Sequence, residues 1–285
     1  MSRQILRSAL HAIVRRNVRL HADTDPDDGY RVAWRKLTTK RLATFLAQNY
    51  RHRHQPNPRE LLTILLIAEM TRVHPRFSPP QRHRRMPQEF SPGRAHRSAL
   101  IVGIHAGYGS AYAALSDLGH RVSLLKDAQQ MLLYPNWGRD RHPTLELIPN
   151  GRLSLAHISR ALKAERLVCC AVDYRDPQTK TYSLISPAIF ELARRTATPL
   201  YFAKNTVSDD GTIEIAIDGP FPVVDAVRSA QDMIDYINAG RCQPKSLQLR
   251  APSGDASPES ESSSAPITPP AATPPATTAP PAQSR

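Results

Sequence analysis

From Ala99 to Lys126 the chain reads ALIVGIHAGYGSAYAALSDLGHRVSLLK. An unbroken apolar run (Ala99–Ile104) is followed by a glycine-rich turn with one histidine (His105–Gly109). An alanine-rich segment (Ser110–Leu118), a glycine stop at Gly119 and a second apolar run (Val122–Leu125) come next. This order predicts strand, turn, helix and strand, one βαβ unit. A half-solvated strand would alternate polar and apolar residues, so unbroken runs predict parallel strands covered on both faces. The same pattern continues with a strand at Leu145–Ile148, a helix at Ser154–Lys163 with serine in the capping position, and a strand at Arg166–Val172. A helix with proline in its first turn (Pro187–Thr196) and a strand at Leu200–Asn205 follow. Thr212–Asp218 alternates and returns through Ser208–Gly211 as a hairpin, before a last helix at Ala226–Asn238. The predicted fold is α/β: a layered sandwich with a mostly parallel sheet and an antiparallel edge hairpin.

The first 95 residues follow a different pattern and are expected to form a helical, basic amino-terminal region. Ile5, Leu6, Leu10, Ile13, Val14 and Val18 recur at helical spacing between arginines, which predicts a basic amphipathic helix and not a cleavable signal peptide. Asp23–Gly29 reads as an acidic turn, Arg31–Gln48 as a second helix, Arg51–Arg59 as a linker and Glu60–Val73 as a buried helix. His74–Ala95, rich in arginine and proline, is expected to be a loop. The α/β domain would then span 96–250, with a short helix at Asp127–Leu133, and 251–285 would be a disordered Pro/Ala/Ser/Thr tail.

Charge sharpens this division. Residues 1–100 hold 20 Lys and Arg against 7 Asp and Glu, so they carry the whole net charge of +13. Such a region is drawn to a polyanion: an anionic membrane face, an acidic carrier protein or nucleic acid. Nothing in the sequence resembles a nucleic-acid recognition helix or an aromatic strand platform, so no nucleic-acid partner is expected. No apolar run approaches the roughly 18 residues of a membrane-spanning helix. Cys169, Cys170 and Cys242 are read as reduced and structural, and no metal-binding spacing is present.

Candidate chemistry gathers where parallel sheets bind ligands, at the carboxyl ends of the strands. His105, Tyr108 and Ser110 follow the first strand, Arg139 and Arg141 lie in the loop YPNWGRDRHP, and Asp173 to Pro177 follow the strand Arg166–Val172. The spacing Gly103, Gly107, Gly109 is similar to the dinucleotide turn of short-chain dehydrogenases, which would imply a nicotinamide-dependent oxidoreductase. That family's tyrosine followed four residues later by lysine is absent: Ser186 stands four residues after Tyr182, and Gln178 after Tyr174. Lys126 and Asp127 occupy the place of its ribose-binding carboxylate. A nucleophilic elbow at Ser110 is excluded because Tyr108 stands where glycine is needed.

The order of blocks from Ala99 to Pro222 resembles the lysophospholipid acyltransferase superfamily, most closely its bacterial late lipid A acyltransferase branch. His105 and Gly107 take the places of the histidine and glycine of that branch's HxxxxD/E motif. LSLAHISRALKAERLVCCAVDYRDP is similar to the segment leading to its aspartate loop, and SPAIFELARRTATPLYFAKNTVSDDGTIEIAIDGPFP to its helix, strand and hairpin. The acid of the motif is replaced by Ser110. The resemblance implies transfer of an acyl chain from an acyl carrier protein or acyl-CoA to a lipid hydroxyl, at the inner face of a bacterial inner membrane and without metal or tightly held cofactor. His105 would be the general base, with Ser110 and Asp173 beside it. Gly107, Tyr108, Arg139, Arg141, Arg152 and Arg175 would contact substrate. With serine in place of the acid, an inactive donor- or lipid-binding relative stands as the alternative, as does a satisfied histidine at a strand end.

Overall fold

The computed structural model describes residues 3–39, 58–74, 77, 79–93, 97–104, 110–127, 131, 142–175, 182–239 and 247–250. Three helices come first: α1 (Arg3–Arg19), α2 (Pro26–Leu37) and α3 (Pro58–Val73). The second begins five residues earlier than its apolar pattern predicts. Asp25 caps it by accepting from the amides of Asp27 and Asp28, and Pro26 fills the first turn where no amide hydrogen is required. The expected continuation of this helix beyond Leu37 to Gln48, and the linker expected at Arg51–Arg59, lie largely outside the described residues.

The α/β region contains β1 (Gln81–Arg85), β2 (Ala99–Gly103), α4 (Ser110–Asp117), β3 (Val122–Asp127), β4 (Glu146–Asn150), α5 (Ser154–Lys163) and β5 (Leu167–Ala171). It continues with β6 (Asp173–Arg175), β7 (Tyr182–Ile185), α6 (Ala188–Thr196), β8 (Leu200–Val207), β9 (Ile213–Phe221), α7 (Ala226–Asn238) and β10 (Gln248–Leu249). Seven strands form one sheet in the order β1-β9-β8-β2-β5-β3-β4; β8, β2, β5, β3 and β4 are mutually parallel, and β9 runs against β8. A small second sheet has the order β10-β7-β6. The fold is the expected α/β sandwich with a mostly parallel sheet.

Alternate residues of each central strand enter opposite cores. Ile101, Cys169 and Tyr201 pack with α1–α4 on the first face, while Leu100, Val102, Cys170 and Phe202 pack with α5–α7 on the second. Cys169 and Cys170 are buried and unpaired, as adjacent strand positions require, and burial pushes the Cys170 thiol up to about 12. Cys242 lies outside the described residues. The helices α1–α3 share the first core with the sheet and are fixed to it at the β8–β9 turn. There the Tyr30 hydroxyl donates to the Gly211 carbonyl at 2.8 Å. Gly211 has φ +85°, and a Cβ added to it would stand 2.7 Å from the Trp34 ring, so only glycine fits.

Three expectations change. The basic stretch expected to be loop contains β1, an edge strand parallel to β9. Its side chains need no core, because Arg84 and Arg85 reach Glu214 and Asp218 of β9 at 3.3 and 3.0 Å, and charged side chains are well suited to a sheet edge. Asp173–Arg175, read as loop, is the strand β6. Ser154 is the first residue of α5 and not its cap; its hydroxyl instead closes the turn onto Gly151. Within the expected βαβ unit, β5 lies between β2 and β3, an order the sequence pattern does not specify.

Candidate functional site

The site follows from where the connections leave the sheet. After β2 the chain passes to α4 on the first face; after its neighbour β5 it passes through β6 and β7 to α6 on the second. Adjacent strands whose connections part in this way leave a crevice at their carboxyl ends, where α/β sheets bind ligands. The last rung of the pair joins Gly103 to Ala171, and beyond it the Val172 amide donates to the Gly103 carbonyl at 3.0 Å.

Asp173 stands two residues past that rung. It is only 5% exposed, held by the pairing of β6 with Ile185 of β7. His105 is likewise two residues past the rung, through Gly103, and lies outside the described residues with Gly107, Tyr108, Arg139 and Arg141. Ser110 opens α4. Arg152 is exposed in the turn after β4, and Arg175 ends β6. Of the expected site residues, the fold brings Asp173, Arg152 and the backbone of Arg175 to one edge of the sheet.

A further group at this edge was not among the candidates. Lys126 of β3 is two residues past the Leu124–Cys169 rung, level with Ala171, and it shares the first face with Leu124. Burial lowers its pKa, partly offset by Asp127. Its sequence signal was slight, a lysine closing the run Val-Ser-Leu-Leu. Around the same edge, Leu153, Leu155 and Tyr174 are exposed at 66%, 43% and 41%, an apolar rim on an otherwise polar end.

Two described histidines are built into the opposite end. The His120 Nε2 donates to the Phe90 carbonyl at 2.8 Å, and His142 lies 3.6 Å from Asp117 with its ring edge-on to Tyr112. Both precede their strands, β3 and β4, and are remote from the carboxyl crevice.

The strand order also bears on the dinucleotide reading. In doubly wound nucleotide-binding sheets the first two strands of the glycine-rich unit are neighbours. Here β5 separates them, so the three glycines do not open a unit of that kind. No family model matches the chain, and no curated protein matches it. Chemically, the edge offers a buried carboxylate, a half-buried ammonium group and an apolar rim: a partner for an imidazole, a partner for an anion and a surface for an aliphatic chain.

Proposed function

We propose that the protein transfers an acyl chain from an acyl carrier protein or acyl-CoA thioester to the hydroxyl of a lipid acceptor, with His105 as general base. The observation that carries this reading is the shared rung. In the sequence His105 and Asp173 each follow by two residues the positions Gly103 and Ala171, which pair as the last rung of two adjacent strands.

The acceptor hydroxyl is a weak nucleophile near neutral pH, so its proton must leave as attack proceeds. Neutral His105 takes that proton while the acceptor oxygen bonds to the thioester carbonyl carbon. The tetrahedral adduct then collapses, the carbon–sulfur bond breaks, and the thiolate recovers the proton from the imidazolium. Ser110 accepts a hydrogen bond from the ring without adding charge, and Asp173 supplies the negative charge that favours the imidazolium. Lys126 faces the anionic groups of the donor, and the Leu153–Leu155–Tyr174 rim takes the acyl chain. The acceptor and the peripheral position at the inner face of a bacterial membrane belong to the same proposal.

The test is transfer of a labelled acyl chain from carrier protein and from coenzyme A to lysophospholipid and lipid A precursor acceptors. Turnover should vanish in His105→Ala and rise in Ser110→Asp. Donor binding without turnover in all three proteins would favour an inactive donor-binding relative, for which Ser110 is the motive. Binding of nicotinamide dinucleotide instead of donor would overturn the reading.

A further inference from the structure

The outer side of α1 has no role in acyl transfer, yet it has a composition that calls for a ligand. Leu10, Val14 and Val18 turn inward and are at most 2% exposed, so the helix is already fixed to the core by one stripe. Its opposite side carries Arg15, Arg16 and Arg19, all exposed, and α1 contains no acidic residue. Among the described residues the carboxylate nearest in pairing terms is Glu69 of α3, 3.6 Å from Arg15 but 2.6 Å from Arg72. It therefore leaves the arginines of α1 largely uncompensated. A groove of about 740 Å³ runs along this side, bordered by Ser8, His11, Arg15, Arg16, Arg19 and Leu20. Beside the cations, Ile13 and Leu20 are exposed at 41% and 64%; seven residues apart, they share one side of the helix.

We infer that this face docks the protein on an anionic phospholipid bilayer, with headgroup phosphates in the groove and Ile13 and Leu20 set into the interface. Arginines favour phosphate because their planar fork donates two hydrogen bonds at once. Aliphatic side chains flanked by arginine on one exposed helix face are the signature of a helix lying in the interface plane. No described helix is long and apolar enough to cross a membrane. Two independent features of the face, its excess charge and its exposed aliphatic pair, select a bilayer over a soluble acidic partner, which would satisfy only the first. The inference does not depend on acyl transfer.

Co-sedimentation of the full chain with vesicles separates the two. Vesicles of phosphatidylcholine and phosphatidylglycerol in equal parts should pellet the protein, vesicles of phosphatidylcholine alone should not, and added salt should release it. Replacing Arg15, Arg16 and Arg19 together by glutamine should weaken binding about a hundredfold, since each arginine near an anionic surface contributes a factor of about five. Neutralising Arg160, Arg195 and Arg228 changes the net charge equally on other elements and should leave binding nearly intact. Leu20→Asp should weaken binding and leave circular dichroism unchanged. Failure to pellet with the mixed vesicles, equal loss in the two arginine triplets, or retention on a soluble polyanion without sedimentation would overturn the inference. None of these outcomes depends on whether the protein turns over an acyl donor.

Discussion

The two ends of the parallel sheet are built from the same strands and differ in what their side chains are engaged with. At the amino end, Arg166 ties three strands together just before β5. Its Nε donates to the Ser123 hydroxyl at 2.7 Å, its Nη2 to the carbonyls of Val122 and Thr144 at 2.7 and 2.6 Å, and it pairs with Glu146 at 3.0 Å. Ser123 in turn donates to Glu146. His120 and His142 add similar closures nearby. At the carboxyl end stand a buried aspartate, a half-buried lysine and exposed aliphatic side chains. One end uses its polar groups to tie neighbouring strands together, while the other gathers a carboxylate, an ammonium group and exposed apolar side chains where α/β sheets bind ligands. In parallel α/β proteins the first pattern belongs to stability and the second to ligands.

The sharpest way to break this comparison is to exchange the phenotypes of the two ends. Asp173→Asn keeps the shape of the side chain and removes its charge, so the imidazolium loses its counter-ion. Turnover should fall about a thousandfold, by analogy with removal of the charged partner in histidine-based catalysis. The chemical-denaturation midpoint should change little. A large loss of stability with turnover per folded molecule intact would move Asp173 into the class of Arg166.

Arg166→Ala should do the reverse. It leaves the carbonyls of Val122 and Thr144 and the Ser123 hydroxyl without their donor and Glu146 without its cation, a loss of about 3 kcal/mol given that Glu146 is partly solvated. Urea unfolding measures it directly. Activity per folded molecule should survive, and its loss would show the two ends to be mechanically coupled.

The amino end explains why part of the molecule was legible in the sequence and part was not. Apolar runs and turn residues placed α4, α5, α6, α7 and most strands within a few residues, because those elements are specified by burial of their own side chains. β1 was missed because its QRHRR side chains bury almost nothing; the strand exists through backbone pairing with β9 and cross-strand carboxylates, neither of which is local. Arg166 read as the start of a strand, since its partners lie 22 and 44 residues away. At the other end, the strand ends marked Asp173 as a candidate, and the structure buries it in β6. Lys126 gained meaning only when the strand order placed it level with Ala171. The βαβ unit was correct in its elements and silent on their adjacency, because no residue within it records that β5 would enter between β2 and β3.

A smaller effect sharpens the carboxyl end. Burial lowers the Lys126 pKa, so the folded state releases this proton more readily than the unfolded chain. The group then costs stability while it is charged in both states, and the cost is relieved as pH rises through the lowered folded value toward the ordinary lysine value of about 10.4. Lys126→Met should therefore be more stable than the native protein near neutral pH, and the difference should shrink in alkaline solution. Buried tyrosines titrate in the same range, so the quantity to compare is the variant minus the native protein at each pH. The same substitution should raise the KM for an acyl donor about tenfold with kcat little changed, if the ammonium group holds an anionic part of the donor.

The least perturbing change separates a rim that touches substrate from one that is simply exposed. Leu153 and Leu155 contribute little to the core at their exposure, so replacing both by serine should alter stability by less than about 1 kcal/mol, close to the scatter of ordinary surface changes. Each methylene removed from water is worth about 0.8 kcal/mol, so a rim that receives part of an acyl chain loses contact only with donors long enough to reach it. The double serine variant should raise the KM for long-chain donors several-fold and leave short-chain donors unchanged. A uniform effect across chain lengths would assign the leucines to the general shape of the crevice, and no effect at any length would remove the rim from the site, leaving the carboxyl end with its aspartate and its lysine alone.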